Sequence, residues 1–213
     1  MGKINQGILG GFSGKVGNVI GGNWKGIDYM RVKPASVANP QTEGQVDQRS
    51  KFSTVLKFLQ PMNDFIKIGY KNYANKMTQF NSAMSYILKN AVAGAYPDFT
   101  IDYASALISR GSLAGILNGA ATSSVAGAIE FTWNDNSSEG NAQTTDKTLI
   151  LAYNKTKGEA IFVTDGAVRT SETQTLTVPE DFSGDSVECF IAFISADGLS
   201  VANSKYVGSI TVA

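Results

Sequence analysis

The sequence predicts a mainly β protein with a small helical segment: an N-terminal β-hairpin arm, two to three short helices and a C-terminal antiparallel β-sandwich. Three observations support this prediction. Glycines are concentrated at the start, with ten of the 22 in the first 52 residues. Apolar residues then follow a helical spacing to about residue 92, and short β-rich runs alternate with turn residues beyond it. We therefore divide the chain into an arm plus helical segment, residues 1–98, and a sandwich, residues 99–213.

The N-terminal arm contains two short β-type runs, Lys15 to Ile20 and Ile27 to Val32, separated by Gly21-Gly22-Asn23. Glycine and asparagine favour turns, so the pattern predicts a β-hairpin that turns at this tripeptide. About 30 extended residues reach up to about 100 Å, so the arm is long enough to leave its own domain. Because ordering glycine is entropically costly, we expect the arm to become ordered where it docks.

Three short helices are predicted after the arm. Thr42 and Gln45 form a capping-box pair, so the first helix is expected to begin at Glu43. The second is predicted from Met62 to Tyr70 and the third from about Thr78 to Val92. The residues expected to be buried are Phe52, Val55, Leu56 and Leu59 in the first helix, and Met77, Phe80, Met84, Ile87, Leu88 and Ala91 around the third.

Eight short strands are predicted in the rest of the chain. They are Thr100 to Tyr103, Ala106 to Ser109, Ala128 to Trp133, Thr148 to Tyr153, Ala160 to Thr164, Thr173 to Val178, Ser186 to Ser195 and Lys205 to Val212. Short, evenly spaced strands separated by turn residues are typical of an antiparallel sandwich.

Three motifs in this region indicate a particular kind of sandwich. Phe131-Thr132-Trp133 lies in an early strand, Ser183-Gly184-Asp185 forms a turn, and Asp197-Gly198 precedes the closing strand. With these motifs the C-terminal part resembles a fibronectin type III or immunoglobulin-like sandwich. That resemblance implies two packed antiparallel sheets. Since the chain has a single cysteine, the disulfide-bonded antibody subclass is disfavoured.

A second set of motifs runs along most of the chain. It comprises Ser13-Gly14-Lys15-Val16-Gly17, Asn23-Trp24-Lys25-Gly26, Arg31, Asn39-Pro40-x-Thr42-x-x-Gln45-x-x-x-Arg49-x-x-Phe52 and the Asp197-Gly198 region. On these motifs the chain resembles an uncharacterised bacterial family of about this length, a domain of unknown function, which implies no particular activity. The Pro-x-Thr-x-x-Gln-x-x-x-Arg part is also similar to a pattern in phage-related structural proteins, which implies a phage-like assembly.

The chain has few of the residue patterns on which catalysis depends. It contains no histidine, which excludes histidine-dependent triads and histidine zinc sites. The carboxylate pairs Asp181 with Asp185 and Asp135 with Glu139 lie in turns, where such residues favour the turn itself. Cys189 lies in an apolar strand and is expected to be a buried structural thiol. We therefore predict no catalytic residue, metal site, cofactor or small-molecule substrate.

The glycine-rich start also differs from a phosphate-binding loop. That motif needs serine or threonine directly after its lysine, whereas Val16 follows Lys15. No charged start followed by an apolar stretch marks a secretory signal, and no apolar run is long enough to span a bilayer. We expect synthesis in the cytoplasm without a signal peptide, with a virion or an extracellular assembly as candidate final locations.

Charge is distributed unevenly along the chain. Residues 1–100 contain 12 Lys and Arg against 5 Asp and Glu, and residues 101–213 contain 6 against 13. Because the two halves carry opposite net charges, they favour head-to-tail contacts between copies. The basic half is also suited to binding nucleic acid or another polyanion.

The expected binding residues are Phe12, Trp24, Lys25 and Arg31 of the arm together with Arg49. The predicted function is that of a non-enzymatic structural or assembly protein, whose arm docks on a neighbouring copy or on another structural protein. One alternative is nucleic-acid or polyanion binding through the basic half, because cations beside an aromatic ring hold single strands. The other is a monomeric adhesion or glycan-binding module that uses the sandwich loops. The sequence leaves open whether the arm docks on its own chain or on the next.

Overall fold

The computed structural model describes residues 2–4, 7, 10–24, 26–36 and 41–213. The chain forms two compact units, Met1–Thr42 (the arm) and Glu43–Ala213 (the body). The helices therefore belong to the same unit as the sandwich, whereas the sequence-based division at residue 98 places them with the arm. The reason is that the helices bury their apolar faces on one sheet of the sandwich.

The described residues of the arm form four short strands: β1, Lys3–Ile4; β2, Phe12–Val16; β3, Val19–Trp24; and β4, Ile27–Val32. They form one antiparallel sheet in the order β1-β2-β3-β4, called the arm sheet. A hairpin arm is thus confirmed, with more strands than the sequence predicts.

The turns of the arm differ from the prediction. Gly21-Gly22-Asn23 lies inside β3, and one reversal of the chain instead uses Gly17, whose φ of 58° suits glycine. Gly21 is needed for another reason. A Cβ at Gly21 would lie 2.7 Å from the Phe12 ring, so glycine lets this ring cross the neighbouring strand.

The helices of the body are α1, Glu43–Leu59; α2, Asn63–Gly69; and α3, Gln79–Asn90. The first begins at Glu43, as predicted. The third begins after Thr78, whose hydroxyl accepts a hydrogen bond from the backbone N–H of Asn81 at 3.2 Å.

The buried stripe of α1 begins one turn later than predicted. Val55, Phe58 and Leu59 are buried, whereas Phe52 is 49% exposed. Met77, which precedes α3, is also exposed, while Ala83, Met84 and Ile87 are buried. Burial follows contact with the sheet, and the first turns of α1 lie outside this apolar cluster.

Nine strands complete the body: β5, Val92–Ala93; β6, Thr100–Ile101; β7, Leu117–Thr122; β8, Ala128–Asn134; β9, Lys147–Asn154; β10, Glu159–Val163; β11, Thr173–Thr177; β12, Ser186–Ile194; and β13, Lys205–Thr211. Seven of them form two antiparallel sheets, β10-β9-β12-β13 and β11-β8-β7, and β5 pairs with β6. The predicted mainly β fold with a C-terminal sandwich is confirmed.

Three strand predictions differ from the structure. The strand predicted at Thr100 to Tyr103 is the two-residue β6, which pairs with β5 outside the two sandwich sheets. Ala106 to Ser109 is not a strand, because the backbone N–H groups of Ile108 and Ser109 donate to the Ser204 hydroxyl instead of to a ladder. The strand β7 was missed because its sequence, Leu-Asn-Gly-Ala-Ala-Thr, contains few β-branched residues and a turn-like Asn-Gly.

The body has two apolar cores that share strands β9 and β12. Alternate residues such as Ile150, Cys189 and Phe193 face the other sheet, which confirms that the Cys189 thiol is buried. The residues between them, such as Leu151 and Phe190, face the helices. Both strands are therefore buried on both faces.

A buried arginine joins the loops at one end of the sandwich. Arg169 is fully buried, and its guanidinium Nη2 lies 3.0 Å from Asp146 Oδ2. The Asp146 side chain is buried as well, with 1% of its surface exposed. The guanidinium also donates to the carbonyl oxygens of Ala114 and Gly115 and to Asn136 Oδ1. It lies 3.8 Å from the centre of the Phe193 ring. One side chain thus fixes three loop segments.

Raising the pH is expected to destabilise the body. Burial, with smaller contributions from Tyr153 and Glu188, raises the pKa of Tyr103 to about 12. Burial, with a contribution from Glu188, also raises the pKa of Cys189 from 9.0 to about 12. The unfolded chain therefore loses these protons at a lower pH than the folded protein does. The free energy of unfolding should fall between about pH 9 and about pH 12.

Urea denaturation across this pH range measures the effect. Tyr103→Phe should make the fall shallower, and Tyr96→Phe, which changes an exposed tyrosine, should not. A transition midpoint that does not change with pH would contradict the prediction.

Candidate functional site

The arm sheet exposes apolar side chains on both faces. Gly21 is its one buried residue among those that the structure describes, so no described side chain of the arm is buried. Among the described residues, sixteen large hydrophobic side chains are exposed, and half of them lie in the arm: Ile4, Val16, Val19, Trp24, Ile27, Tyr29, Met30 and Val32. Apolar surface at this density is typical of interaction sites, so the arm sheet is the candidate site.

One face carries an aromatic and aliphatic cluster. Trp24 pairs directly with Ile27 across the β3–β4 ladder, and these two residues are 65% and 69% exposed. With Tyr29 they line an open apolar depression of about 440 Å³. Gly22 leaves space for this tyrosine, because a Cβ there would lie 3.0 Å from the hydroxyl. Arg31, which is exposed, follows on the same face by strand alternation.

The other face of the arm sheet is held by polar and apolar contacts. Phe12 is half-buried against Gly21, and Met30 follows on the same face because it pairs with Gly21. At the β3–β4 turn, Asn23 Nδ2 donates to Asp28 Oδ1 at 2.8 Å, and Asn23 Oδ1 accepts from the Gly26 N–H at 3.0 Å. These bonds fix the turn that brings β4 beside β3.

The structure separates the predicted binding residues. Trp24 and Arg31 lie on one face of the arm sheet and Phe12 on the other, while Lys25 lies outside the described residues. Arg49 is an exposed residue of α1 and so belongs to the body.

The residues that the sequence reasoning missed are Ile27, Tyr29 and Met30. The sequence does indicate that these three residues lie in a strand, since Ile27 to Val32 is a β-type run. Only the structure shows that all six of its residues are exposed. The predicted cap residues Thr42 and Gln45 are exposed at the start of α1, and their capping role stays a prediction.

A cleft in the body is lined by lysines and a tyrosine. Lys57, Tyr153, Lys155 and Lys157 border a space of about 650 Å³. Two of these cations already face carboxylates: Lys157 Nζ lies 2.5 Å from Asp181 Oδ2, and Lys155 Nζ lies 3.7 Å from Glu188 Oε1. The cleft is therefore largely neutralised, and it is not a strong anion site.

Two further features are absent from the described residues. Within the ranges given above, no group of three or more His, Cys, Asp and Glu side chains is arranged to hold a metal ion. No helix in the described part of the chain is long and apolar enough to cross a membrane.

The two-sheet arrangement of the body, three strands against four, defines a fibronectin type III-like β-sandwich. Residues 11–208 match the model of the family of unknown function DUF6266, and the chain belongs to that family. The resemblance to an uncharacterised family is thereby confirmed. The chain is also similar to the solution structure of the fn3 domain of the human collagen alpha-1(XX) chain, with 13% identity, a TM-score of 0.36, and coverage of 49% of this chain and 91% of that one. No curated protein matches the chain.

Proposed function

We propose that this protein is a non-enzymatic structural protein whose N-terminal arm docks on a neighbouring copy. The observation that supports the proposal is the exposure of both faces of the arm sheet. Dense exposed apolar surface on a small sheet is typical of a site where a partner binds. Docking on another copy would remove part of the exposed Trp24, Ile27 and Met30 side chains from water.

The proposed setting is a phage-like or surface assembly. Its support is the short Pro-x-Thr-x-x-Gln-x-x-x-Arg pattern, together with an arm that precedes a β-sandwich. The arm contains five Lys and Arg against one Asp, and the rest of the chain contains 13 against 17, so long-range attraction between copies also favours assembly.

Removing the arm is expected to convert oligomers to monomers. The arm-deleted protein lacks residues 1–42 and retains the whole body, Glu43–Ala213, with its two apolar cores. Light scattering coupled to size exclusion measures the mass of the full-length and arm-deleted chains. An oligomer that persists without the arm, or a full-length chain that is monomeric at high concentration, would overturn the proposal.

A point variant separates the apolar face from the charge of the arm. Trp24→Ser with Ile27→Ser keeps every charge and is expected to weaken self-association. The matched control replaces Val125 and Leu199, two exposed apolar residues of the body, with serine. The control should leave the mass unchanged.

Polyanion binding is the second candidate function. The observation that favours it is that Trp24, Tyr29 and Arg31 share one face of the arm sheet, since exposed rings beside a cation stack on single-stranded bases. It ranks second because the aliphatic Ile27, which cannot stack on a base, pairs with Trp24 and shares the face of both rings. Fluorescence anisotropy with a single-stranded oligonucleotide tests it, and affinity should fall steeply with salt. An absence of binding at low salt would exclude it.

A further inference from the structure

We infer that two copies of the chain pair their β4 strands antiparallel, edge to edge, so that two arm sheets become one continuous sheet. This inference rests on the proposed function and specifies the contact between copies. It starts from the edge of the arm sheet. Among the described residues, β4 pairs with β3 on one side and with no strand on the other, and all six of its residues are exposed.

Each edge of the sandwich differs from the β4 edge of the arm. Strands β7 and β13 carry bulges, and strands β10 and β11 are one residue shorter than β4 and contain buried or partly buried residues. The ladder between β13 and β12 shifts register between Cys189 and Phe190, and the ladder between β7 and β8 shifts between Leu117 and Ala120. Such bulges discourage further pairing at an edge. In contrast, β4 pairs with β3 over six consecutive residues without a shift, and it contains no proline. The arm therefore presents a regular edge without a bulge or a proline, in which four of the six residues are apolar.

The outward hydrogen-bonding groups of β4 can be assigned. The Lys33 N–H donates to the Asn18 carbonyl oxygen at 2.7 Å, so this N–H points toward β3. Because N–H directions alternate along an antiparallel strand, the N–H groups of Asp28, Met30 and Val32 point to the free edge. These three residues supply the donors and acceptors for a second strand.

The sequence of β4 suits pairing with itself. The register that places Met30 opposite Met30 of the second copy uses all three outward-facing residues. In this register Tyr29 lies opposite Arg31 of the second copy, which makes an aromatic–cation pair on each side of the two-fold axis. Asp28 lies opposite Val32, so no like charges are directly opposed. A shift by two residues would either oppose the two Arg31 side chains or leave Val32 opposite the turn.

The second copy is also the partner that matches the charge and polarity of this edge. Within β4, Asp28 offsets Arg31, so the strand itself is neutral although the arm as a whole is basic. The eight exposed large hydrophobic residues of the body are spread over residues 43–213, whereas those of the arm lie in or beside its short strands. Another arm therefore offers the denser apolar surface.

Cysteine cross-linking of the full-length protein tests the register. Residues opposed across a hydrogen-bonded pair have Cα atoms about 5.5 Å apart, within disulfide reach. Met30→Cys should therefore form a disulfide-linked dimer under mild oxidation. The matched control is Val32→Cys, equally exposed and on the same face, whose two copies would lie more than about 10 Å apart. Cys189 is buried and common to both variants.

A second variant tests the edge itself. Met30→Pro removes an outward N–H and places a ring on the free edge, which proline tolerates on an edge strand. It should lower the mass to that of the monomer, and Met30→Ala should not. If Met30→Cys does not cross-link, or cross-links no more than Val32→Cys, the inference is wrong. The proposed function would survive that result if removal of the arm still abolished the oligomer, and salt-sensitive head-to-tail docking would then replace edge pairing.

Discussion

Replacing Arg169 with methionine is expected to destabilise the body by about 3 to 5 kcal/mol, the usual effect of removing one partner from a buried ion pair. The variant leaves Asp146 buried and without its cation. It also removes the donors to the carbonyl oxygens of Ala114 and Gly115. Methionine fills much of the same volume, so the loss would reflect polar groups and not a cavity. Urea denaturation at neutral pH measures it.

Two controls make this result specific. Lys147→Met breaks an exposed pair with Asp165 and should lower stability by less than about 1 kcal/mol. Combining Arg169→Met with Asp146→Leu removes both charges and should recover part of the loss. The explanation fails if Arg169→Met is no more destabilising than Lys147→Met.

Replacing Phe58 with alanine is expected to cost about 3 to 5 kcal/mol, as for other buried phenylalanines. Phe58 is 2% exposed and its ring centre lies 5.1 Å from that of Tyr153 and 6.5 Å from that of Phe190. The ring therefore joins α1 to strands β9 and β12. Phe52→Ala is the matched control in the same helix, and it should change stability by less than about 0.5 kcal/mol because Phe52 is half exposed.

The same variant tests whether helices and sandwich unfold together. In a Trp24→Phe background, Trp133 fluorescence reports the core between the sheets, and circular dichroism at 222 nm reports mainly the helices. Phe58→Ala should move both transitions to the same lower urea concentration. A shift of the helical signal alone would show that the helices unfold as a separate layer.

The strands of the sandwich were predictable where their own residues show a β-type pattern. Strand β8 alternates apolar and polar residues, and β12 is an almost unbroken apolar run, so both were found within one residue of their ends. The short β7 was not found, because its pairing depends on β8 rather than on its own residues. The grouping of the helices with the sandwich was missed as well, since periodicity shows an apolar face but not what covers it.

The candidate site was predictable in part. Its location in the arm follows from the glycine content and from Trp24, which the structure places among exposed residues. The position of β4 at the edge of the arm sheet does not follow from composition, because an edge strand and a central strand with the same residues look alike in sequence. Gly21-Gly22-Asn23 shows the opposite error: turn-forming residues occur inside β3 to admit the rings of Phe12 and Tyr29.

The helices determine whether the sandwich can be produced as a separate fragment, because they cover one face of its larger sheet. Strands β9 and β12 turn Leu151 and Phe190 toward the helices, while the outer face of β8 carries Glu130 and Thr132. A fragment that lacks the helices and begins at the first sandwich strand would expose the apolar face of β9 and β12 to water, and it would tend to aggregate. The compact unit that keeps this sheet face covered is therefore residues 43–213, helices and sandwich together.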